Sequence, residues 1–420
     1  MVKKERLLII GYVWPEPNSS AAGSRMMQLI RFFQEQDWDV TFASPSMESP
    51  LMVDLEAIGV KKVAIQLNHT SFDTFVKALQ PDAVLFDRFM IEEQFGWRVI
   101  AQCPNALRIL DTEDLHSLRY ARQKAVKAQK PFELSEFKNS DLAKREVASI
   151  FRSDITLMIS QVEIALLRDD FGVPEYLLHY LPLLLESVPV ARVATWPHFI
   201  LREHFITVGN FRHEPNWDAV LYLKEQVWPL IRKELPKAEL HIYGAYTPPK
   251  ATALHKPSEG FYIEGWVPDV MSVMTQARVC LAPLRFGAGI KGKFTDAMQC
   301  GTPSVTTPIG AEAMHGDLPW SGIIADTPEA IAKAAIQLYT DQSLWKQGQQ
   351  HGVDIINTLY ERGALTTKFL KKLVEVRENL VAHRTQNFIG GMLLHHSMRS
   401  TEYMSRWITT KNTNTKTSSD

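Results

Sequence analysis

Cysteine is scarce in this sequence, and its placement excludes two classes of protein. The chain has three cysteines, Cys103, Cys280 and Cys300, and none of them lies in a C-x-x-C pair. A disulfide-stapled secreted domain would carry an even set of cysteines, and a structural zinc module would carry closely paired ones. We therefore expect a protein of a reducing, cytoplasmic compartment, with free thiols and no metal site.

Long hydrophobic runs are also missing. No stretch approaches the ~20 apolar residues that a membrane-spanning helix needs. The longest candidate, "YLLHYLPLLLESVPV", is interrupted by Pro182, Glu186 and Pro189. The start, "MVKKERLLIIGYVW", has the lysines and apolar run of a secretory signal, but the acid and prolines of "PEPNSSAAGSR" replace a cleavage region. We expect a buried first strand and a soluble protein, with contact at the inner face of the cytoplasmic membrane left open.

Neither sign of charge is in excess. The 420 residues include 46 Lys and Arg against 47 Asp and Glu, for a formal net charge of -1. A general nucleic-acid-binding protein would carry a strong basic excess, so this class is excluded and no nucleic-acid partner is expected. The length is sufficient for two or three domains, each with its own core.

Short β-type apolar runs alternate with helical patterns along the chain. This alternation is typical of parallel sheets built from βαβ units. It stops near "VPVARVATWPHF" and restarts at "FITVGN", which predicts an α/β fold with two Rossmann-like domains. We assign residues 1–188 to the first domain, 189–365 to the second, 366–384 to a helix crossing back to the first, and 385–420 to a C-terminal extension whose polar end is disordered.

The segment "LAPLRFGAGIKGKFTDAMQCGTP" contains the strongest motif. Gly287 to Lys293 fits the nucleotide-triphosphate pattern G-x-x-x-x-G-K, but Phe294 follows where a magnesium-binding Ser or Thr is required. "GAGIKG" also spells the dinucleotide pattern G-x-G-x-x-G. That pattern belongs at a first βα turn with an acid at the end of the next strand, and Glu312 lies instead at the end of a loop.

A third interpretation is a diphosphate site at a helix N-terminus. Glycines permit close backbone approach, freed N–H groups face an anion, and Lys291 and Lys293 supply positive charge. Asp296 lies about one turn into the helix, where it can accept from ribose hydroxyls. The structural alternative is a glycine-rich turn with a solvated "KGK".

This segment, extended to "PLRFGAGIKGKFTDAMQCGTPSVTTPIGAEAM", resembles the donor-binding region of glycosyltransferase family 4. "FITVGNFRHEPNWDAVLYL" and "FYIEGWVPDVMSVMTQARVCLAPL" resemble neighbouring parts of the same family, whereas the N-terminal half is similar more loosely. The resemblance implies the GT-B fold and a retaining, metal-independent transfer. It also implies a nucleotide-diphosphate sugar as donor substrate, no separate cofactor, and a glycan, lipid-linked or other hydroxyl acceptor.

The resemblance also implies roles for individual residues. Lys291 and Arg285 are expected to stabilise the leaving diphosphate, and His116 resembles a family histidine that faces the donor sugar. A surface histidine beside a charged helix is the alternative for His116. The residues expected to contact the donor are Gly23, Gly209, Arg212, Gly287, Gly289, Ile290, Lys291, Lys293 and Asp296.

Two departures from the family pattern concern the motif E-x7-E. Ala288 stands at the position of the first Glu and Asp296 at that of the second. Asp296 keeps a carboxylate, whereas Ala288 removes one from the expected sugar contacts. The family's usual early Arg/Lys pair is also not clear, Arg212 being the nearest cation. The acids of "RILDTEDLHSLR" fit helix capping as well as they fit a metal cluster.

Two other functions remain open on the sequence. A nucleotide-sugar epimerase of the same architecture would convert the donor without an acceptor. A non-catalytic protein that binds nucleotide sugars is favoured by Ala288. The segment "GMLLHHSMRSTEYMSRWI" fits an amphipathic helix that touches a membrane or a partner.

Overall fold

The structure, a computed structural model, describes the backbone of residues 4–417 and their side chains except those of 396–399 and 412–417. Within that range the chain builds a seven-stranded and a six-stranded parallel sheet, in the orders β3-β2-β1-β4-β5-β6-β7 and β10-β9-β8-β11-β12-β13. Both are doubly wound, so the predicted α/β fold with two Rossmann-like domains is confirmed. The boundary proposed at 188/189 lies between β7, the last strand of the first sheet, and β8, the first strand of the second.

The strands of the first sheet are β1 (Arg6–Ile10), β2 (Asp39–Ser44), β3 (Lys61–Ala64), β4 (Ala83–Asp87), β5 (Leu107–Asp111), β6 (Ile155–Met158) and β7 (Leu178–Tyr180). Those of the second are β8 (Glu203–Val208), β9 (Leu240–Tyr243), β10 (Phe261–Gly265), β11 (Ala277–Ala282), β12 (Ser304–Thr306) and β13 (Gly322–Ile324).

The helices that precede β8 are α1 (Ala21–Glu35), α2 (Ser71–Leu79), α3 (Phe89–Gln102), α4 (His116–Lys127), α5 (Leu134–Asn139), α6 (Asp141–Arg152), α7 (Gln161–Phe171) and α8 (Val190–Val193). Those after β8 are α9 (Glu214–Tyr222), α10 (Trp228–Glu234), α11 (Pro249–Thr252), α12 (Val270–Gln276), α13 (Gly292–Gln299), α14 (Pro308–Ala311), α15 (Pro328–Thr340), α16 (Gln342–Leu359), α17 (Arg362–Glu378), α18 (Leu380–Gln386) and α19 (Phe388–Thr417).

Each sheet has a hydrophobic cluster on both of its faces. In β1, Leu7 and Ile9 belong to one cluster and Leu8 and Ile10 to another, because successive side chains of a strand point to opposite faces. The four side chains have no exposed surface. A continuous apolar run without alternation is what a parallel strand covered on both sides requires.

Helix α17 leaves the second domain and packs against the first. Its Phe369 is fully buried and lies 4.8 Å from the ring of Phe32 and 6.1 Å from that of Phe33, measured between centroids. Arg377 of the same helix pairs with Glu5. Residues 366–384, where the sequence predicts a helix crossing back to the first domain, lie within α17 and α18, and α17 begins at Arg362.

Helix α19 lies across α3 and α6 of the first domain. Asn387 donates to the Phe151 carbonyl oxygen at 2.7 Å, and Arg98 donates to Ser405 at 3.2 Å. The backbone is helical as far as Thr417, where the sequence predicts a disordered end, because the helix continues from the packed segment. Residues 418–420 of that prediction lie outside the described range. Among the described residues, none of the helices has the length and apolar character needed to span a membrane.

Candidate functional site

The carboxyl ends of the two sheets face each other across a cleft. On the first domain, β4 and β5 end at Asp87 and Asp111, which are register partners. On the second, β11 ends at Ala282 and is followed by residues 283–291, which we call the glycine–lysine loop. This loop leads into α13 at Gly292. Open α/β sheets bind ligands at this edge of their strands, so the cleft is the candidate site.

Lys291, which is buried, and Lys293, which is half-buried, lie where the loop enters α13. Lys291 Nζ donates to the Gly289 carbonyl oxygen at 2.8 Å, and Lys293 Nζ donates to Asn216 Oδ1 at 2.7 Å. Burial lowers the pKa of each ammonium group to about 8. Among the described residues, neither lysine has a carboxylate within ion-pairing distance, although the more distant Glu312 and Glu163 favour the charged form of Lys291. The cleft therefore holds two cations without an ion-pair partner.

The loop backbone is pressed against the first domain. The Gly289 N–H donates to Glu163 Oε1 at 2.5 Å, and the residue has φ of +60°. A Cβ at this position would lie 2.8 Å from Asp114 Cβ and 2.8 Å from Ile159 Cδ1. Glycine is required at 289 for both reasons. Gly287 is held differently, its carbonyl oxygen accepting from Arg122 Nη1 at 2.9 Å.

Two further predicted donor residues lie on this loop and helix. The Asp296 carboxyl has no hydrogen bond within the described part of the chain, and burial raises its pKa to about 7. Ile290 is a core residue, 9% exposed, in the cluster beneath β8 and β11. Ala288 belongs to a hydrophobic cluster of the first domain, so a carboxylate at 288 would face apolar side chains.

Arg285 is not brought to the two lysines. Its guanidinium makes two hydrogen bonds to Asp218 of α9, at 2.8 and 2.5 Å, and lies over the Tyr222 ring. The Arg285 side chain is 37% exposed. The carboxylate already occupies the fork that was predicted to stabilise a leaving group.

The remaining predicted donor residues divide into two groups. Gly209 directly follows β8 and Arg212 stacks on Tyr246 at 3.6 Å, so both lie at the cleft edge of the second domain. Gly23 lies in the first turn of α1, and a Cβ there would fall 2.3 Å from the Glu16 carbonyl oxygen. The close approach at Gly23 is thus to the chain's own loop.

His116 is the first residue of α4 and faces the cleft. Its Nε2 lies 3.4 Å from Asp114 Oδ1. Burial lowers the pKa of His116 to about 3 against the opposing effect of Asp114, so the imidazole is neutral at pH 7. Burial would raise the pKa of Asp114, but Arg119 and the imidazoles outweigh it and lower the pKa to about 2.

Sequence analysis did not identify His213, which belongs to the second domain and lies near His116 and Asp114. It follows β8 directly beside the predicted Arg212. Enclosure by surrounding protein lowers the pKa of His213 to about 3, Arg119 being the largest electrostatic contributor, although its side chain stays accessible through the cleft. Its position after a strand end was the signal that could have identified it.

Polar contacts close the cleft around these groups. Arg122 of α4 makes two hydrogen bonds to Glu312, at 2.7 and 2.9 Å, in addition to its bond to Gly287. Tyr246 donates to Glu16 at 2.6 Å, and the Trp266 indole donates to the Asn18 carbonyl oxygen at 2.9 Å. No sequence pattern points to such pairs, because their members lie far apart in the chain.

Within the described residues, groups of three His, Cys, Asp or Glu side chains with the arrangement of a metal site are absent. Two of the three acids at the end of β5 and just after it are in ion pairs, and within the described range Glu113 is not. Asp111 pairs with Arg25 at 2.8 Å, and Asp114 pairs with Arg119.

The comparison with protein families gives one match. Residues 202–341 match the family described as Glycosyl transferases group 1, a region that contains the second sheet and the glycine–lysine loop. Curated proteins give no significant match.

Solved structures show the fold of the whole chain. A sucrose-phosphate synthase from Thermosynechococcus elongatus has a TM-score of 0.64 at 14% identity, over 89% of this chain and 99% of that one. A glycosyltransferase from Rickettsia africae has a TM-score of 0.65 at 11% identity, over 90% and 100%. Anabaena HepE, solved with UDP and glucose, has a TM-score of 0.64 at 10% identity, over 88% and 100%. The expected GT-B fold is confirmed.

Proposed function

We propose that this protein is a retaining, metal-independent glycosyltransferase that moves a sugar from a nucleotide-diphosphate donor to a hydroxyl acceptor. The observation that carries the proposal is the pair of cations without an ion-pair partner, the buried Lys291 and the half-buried Lys293, at the start of α13. The match of residues 202–341 to Glycosyl transferases group 1 supports the same reaction class.

The lysines and the start of α13 suit a departing diphosphate. As the bond to the anomeric carbon breaks, negative charge grows on the leaving phosphate oxygens. Preformed cations and backbone N–H groups aimed at that charge lower the barrier, and one such donor contributes about 2.7–4 kcal/mol. Because burial holds the pKa of each lysine near 8, an arriving diphosphate would stabilise their charged forms.

Asp296 and His116 complete the donor side of this proposal. Asp296 offers an unpartnered carboxyl one turn into α13, where ribose hydroxyls can bond to it. His116 is neutral, so it offers one ring nitrogen as donor and the other as acceptor to a sugar hydroxyl. HepE was solved in complex with UDP and glucose, and we extend that ligand class to this chain.

Nucleotide binding is tested by thermal unfolding with UDP-, GDP-, ADP- and CMP-sugars. A ligand at 100 times its Kd adds about 2.7 kcal/mol to the free energy of unfolding. We expect one nucleotide class to stabilise the wild type and not the Lys291→Ala/Lys293→Ala double variant. Lys333→Ala, on an exposed position of α15, is the matched control. Equal stabilisation of wild type and double variant would contradict the assignment.

Catalysis is tested with the nucleotide sugar identified in this way. We expect product to form when acceptor and EDTA are both present. NMR should show that the product keeps the anomeric configuration of the donor sugar. Conversion of the donor without acceptor would indicate the epimerase. Donor binding without turnover on any acceptor would indicate the non-catalytic protein.

A further inference from the structure

The two walls of the cleft differ in which charges are left without a partner. On the second domain, Lys291 and Lys293 have no ion-pair partner among the described residues, and neither has Asp296. On the first domain, the acids at or just after the ends of β4 and β5 that form ion pairs are Asp111 with Arg25 of α1, Asp87 with Arg88, and Asp114 with Arg119 of α4. Glu113 and Glu163 of this wall have no cation within ion-pairing distance in the described chain, but Glu163 accepts hydrogen bonds from the Leu115 and Gly289 N–H groups, whereas the Glu113 carboxyl accepts none.

Glu113 lies directly on the cleft edge. It follows the last residue of β5 by two positions, and Asp114, next to it, touches the Gly289 backbone position across the cleft. The Glu113 carboxyl makes no hydrogen bond within the described range, yet it is only partly exposed. Burial raises the pKa of Glu113 to about 8, with Asp111 as the next contributor and Arg25 and Arg88 opposing.

A second unpartnered carboxylate oxygen lies in the same place. Asp87 is 5% exposed, and its Oδ2 accepts from the Tyr12 N–H at 2.9 Å. Its Oδ1 has no hydrogen bond, and neither has Arg88 Nε, which lies 3.6 Å away. That separation is too long for a hydrogen bond. A buried acceptor and donor left in this state carry a free-energy cost that a ligand hydroxyl can remove.

We propose that Glu113, with Asp87 and Arg88, binds the reacting end of the acceptor, and that this end is an uncharged, hydroxyl-bearing sugar ring. The inference rests on the proposed glycosyl transfer. A hydroxyl can donate to one of these oxygens while it accepts from Arg88. Arg25, Arg88 and Arg119 are balanced by Asp111, Asp87 and Asp114, so a phosphate or carboxylate on the acceptor would find no excess of positive charge on this wall.

The first test measures binding by saturation-transfer NMR on the full chain, in the presence of the nucleoside diphosphate that stabilises it. The probes are methyl glycosides and the 6-phosphates of the same sugars. We expect neutral glycosides to bind at least tenfold more tightly than their phosphates. Preference for the phosphates, or no binding by any neutral glycoside, would overturn the proposal.

The second test separates a binding role from a structural one. Glu113→Ala removes the carboxyl, and Glu113→Gln keeps a donor and an acceptor in the same place. We expect the Kd of the best glycoside to rise at least tenfold in the alanine variant and to return to within about threefold in the glutamine variant, since one tenfold step corresponds to about 1.4 kcal/mol. Unchanged glycoside affinity in Glu113→Ala would overturn the proposal.

The donor-binding measurement distinguishes failure of the acceptor proposal from failure of the proposed function. If no nucleotide sugar stabilises the wild type, the glycosyltransferase assignment fails and the acceptor proposal fails with it. If the donor binds and the neutral glycosides do not, only the acceptor proposal is wrong.

Discussion

At the scale of the residue, the cleft is defined by ionisable groups that burial pushes toward their neutral forms. The pKa of Lys291 and Lys293 is lowered to about 8, and that of Asp296 is raised to about 7. Holding these groups away from water without partners costs the free protein stability. Ligand binding offsets that cost, which is why perturbed groups of this kind gather at functional sites.

Asp296 gives a pH-dependent prediction. Because its folded pKa of about 7 exceeds the ordinary value of 3.8 for an aspartate, the folded state retains the proton more strongly, and stability falls as pH rises between these values. Asp296→Asn should therefore become more stable relative to wild type at pH 8 than at pH 4. Urea unfolding at both pH values measures this.

The control for this prediction is Asp141→Asn, whose side chain is 97% exposed. Its free-energy difference from wild type should change much less between the two pH values. A pH-independent difference for Asp296→Asn would show that its carboxyl is not held neutral by burial.

The sequence predicted the residues of the loop better than their partners. Lys291, Lys293 and the glycines follow one strand within a few positions, so a local pattern revealed them. Glu163 bonds to Gly289 across 126 residues of chain. That contact arises from the docking of two domains and has no local signature. Arg285 fits the local pattern equally well, but the nearby acid of α9 determines where its guanidinium lies.

At the scale of the element, the alternation of strands and helices was predictable because each period is local. The helical spacing of Met26, Ile30 and Phe33 predicts one buried face, and all three are buried in α1. The course of α19 was not predictable in the same way. Its polar last residues lack periodicity, and the helix is anchored by contacts with α3 and α6 that reach as far as Ser405.

Gly289 is the loop position most sensitive to a side chain. Gly289→Ala places a Cβ 2.8 Å from Asp114 and Ile159 in addition to the strain of φ at +60°. Gly172→Ala has nearly the same φ, +66°, and meets nothing within 4 Å. We expect Gly172→Ala to cost the roughly 1–2 kcal/mol of a left-handed residue. Gly289→Ala should also separate the loop from the first domain.

Small-angle scattering and donor-induced stabilisation measure this difference. The expected result is a larger radius of gyration and a loss of the donor effect in Gly289→Ala, with neither change in Gly172→Ala. Identical behaviour of the two variants would mean that backbone strain, and not the contact between domains, governs position 289.

Helix α17 contributes a core residue to the first domain. Phe369→Ala removes a fully buried ring that packs on Phe32 and Phe33, and such a truncation costs about 3–5 kcal/mol. Val374→Ala, on an exposed position of the same helix, should cost far less. Denaturant unfolding measures both. A cost below 1 kcal/mol for Phe369→Ala would contradict the packing described here.

At the scale of the whole molecule, polar contacts join the two domains around the cleft, beside the apolar contacts that Ala288 and helix α17 make with the first domain. Such interfaces permit relative domain motion unless they are large and apolar. Arg122 is the most connected of these groups, since it reaches both Glu312 and Gly287 from α4. The contact therefore joins the first domain to the donor loop itself.

Arg122→Ala should open the cleft. The side chains of Arg122 and Glu312 are 13% and 19% exposed, so their pair is less screened than a surface pair. We expect a larger radius of gyration without donor and a several-fold weaker donor affinity. Arg145→Ala, which breaks the pair of a 53%-exposed arginine with Glu93 within the first domain, is the control. A compact Arg122→Ala variant with unchanged affinity would contradict this role.

The return of α17 to the first domain also dictates an order of events during synthesis. The ribosome delivers the whole second sheet before it makes Phe369, and that ring fills the core next to α1. The nascent first domain must therefore wait, with an apolar groove uncovered, while its neighbour is translated and folds. Domains that fold one after another as they emerge are the ordinary case. Here the first to emerge is the last to be finished.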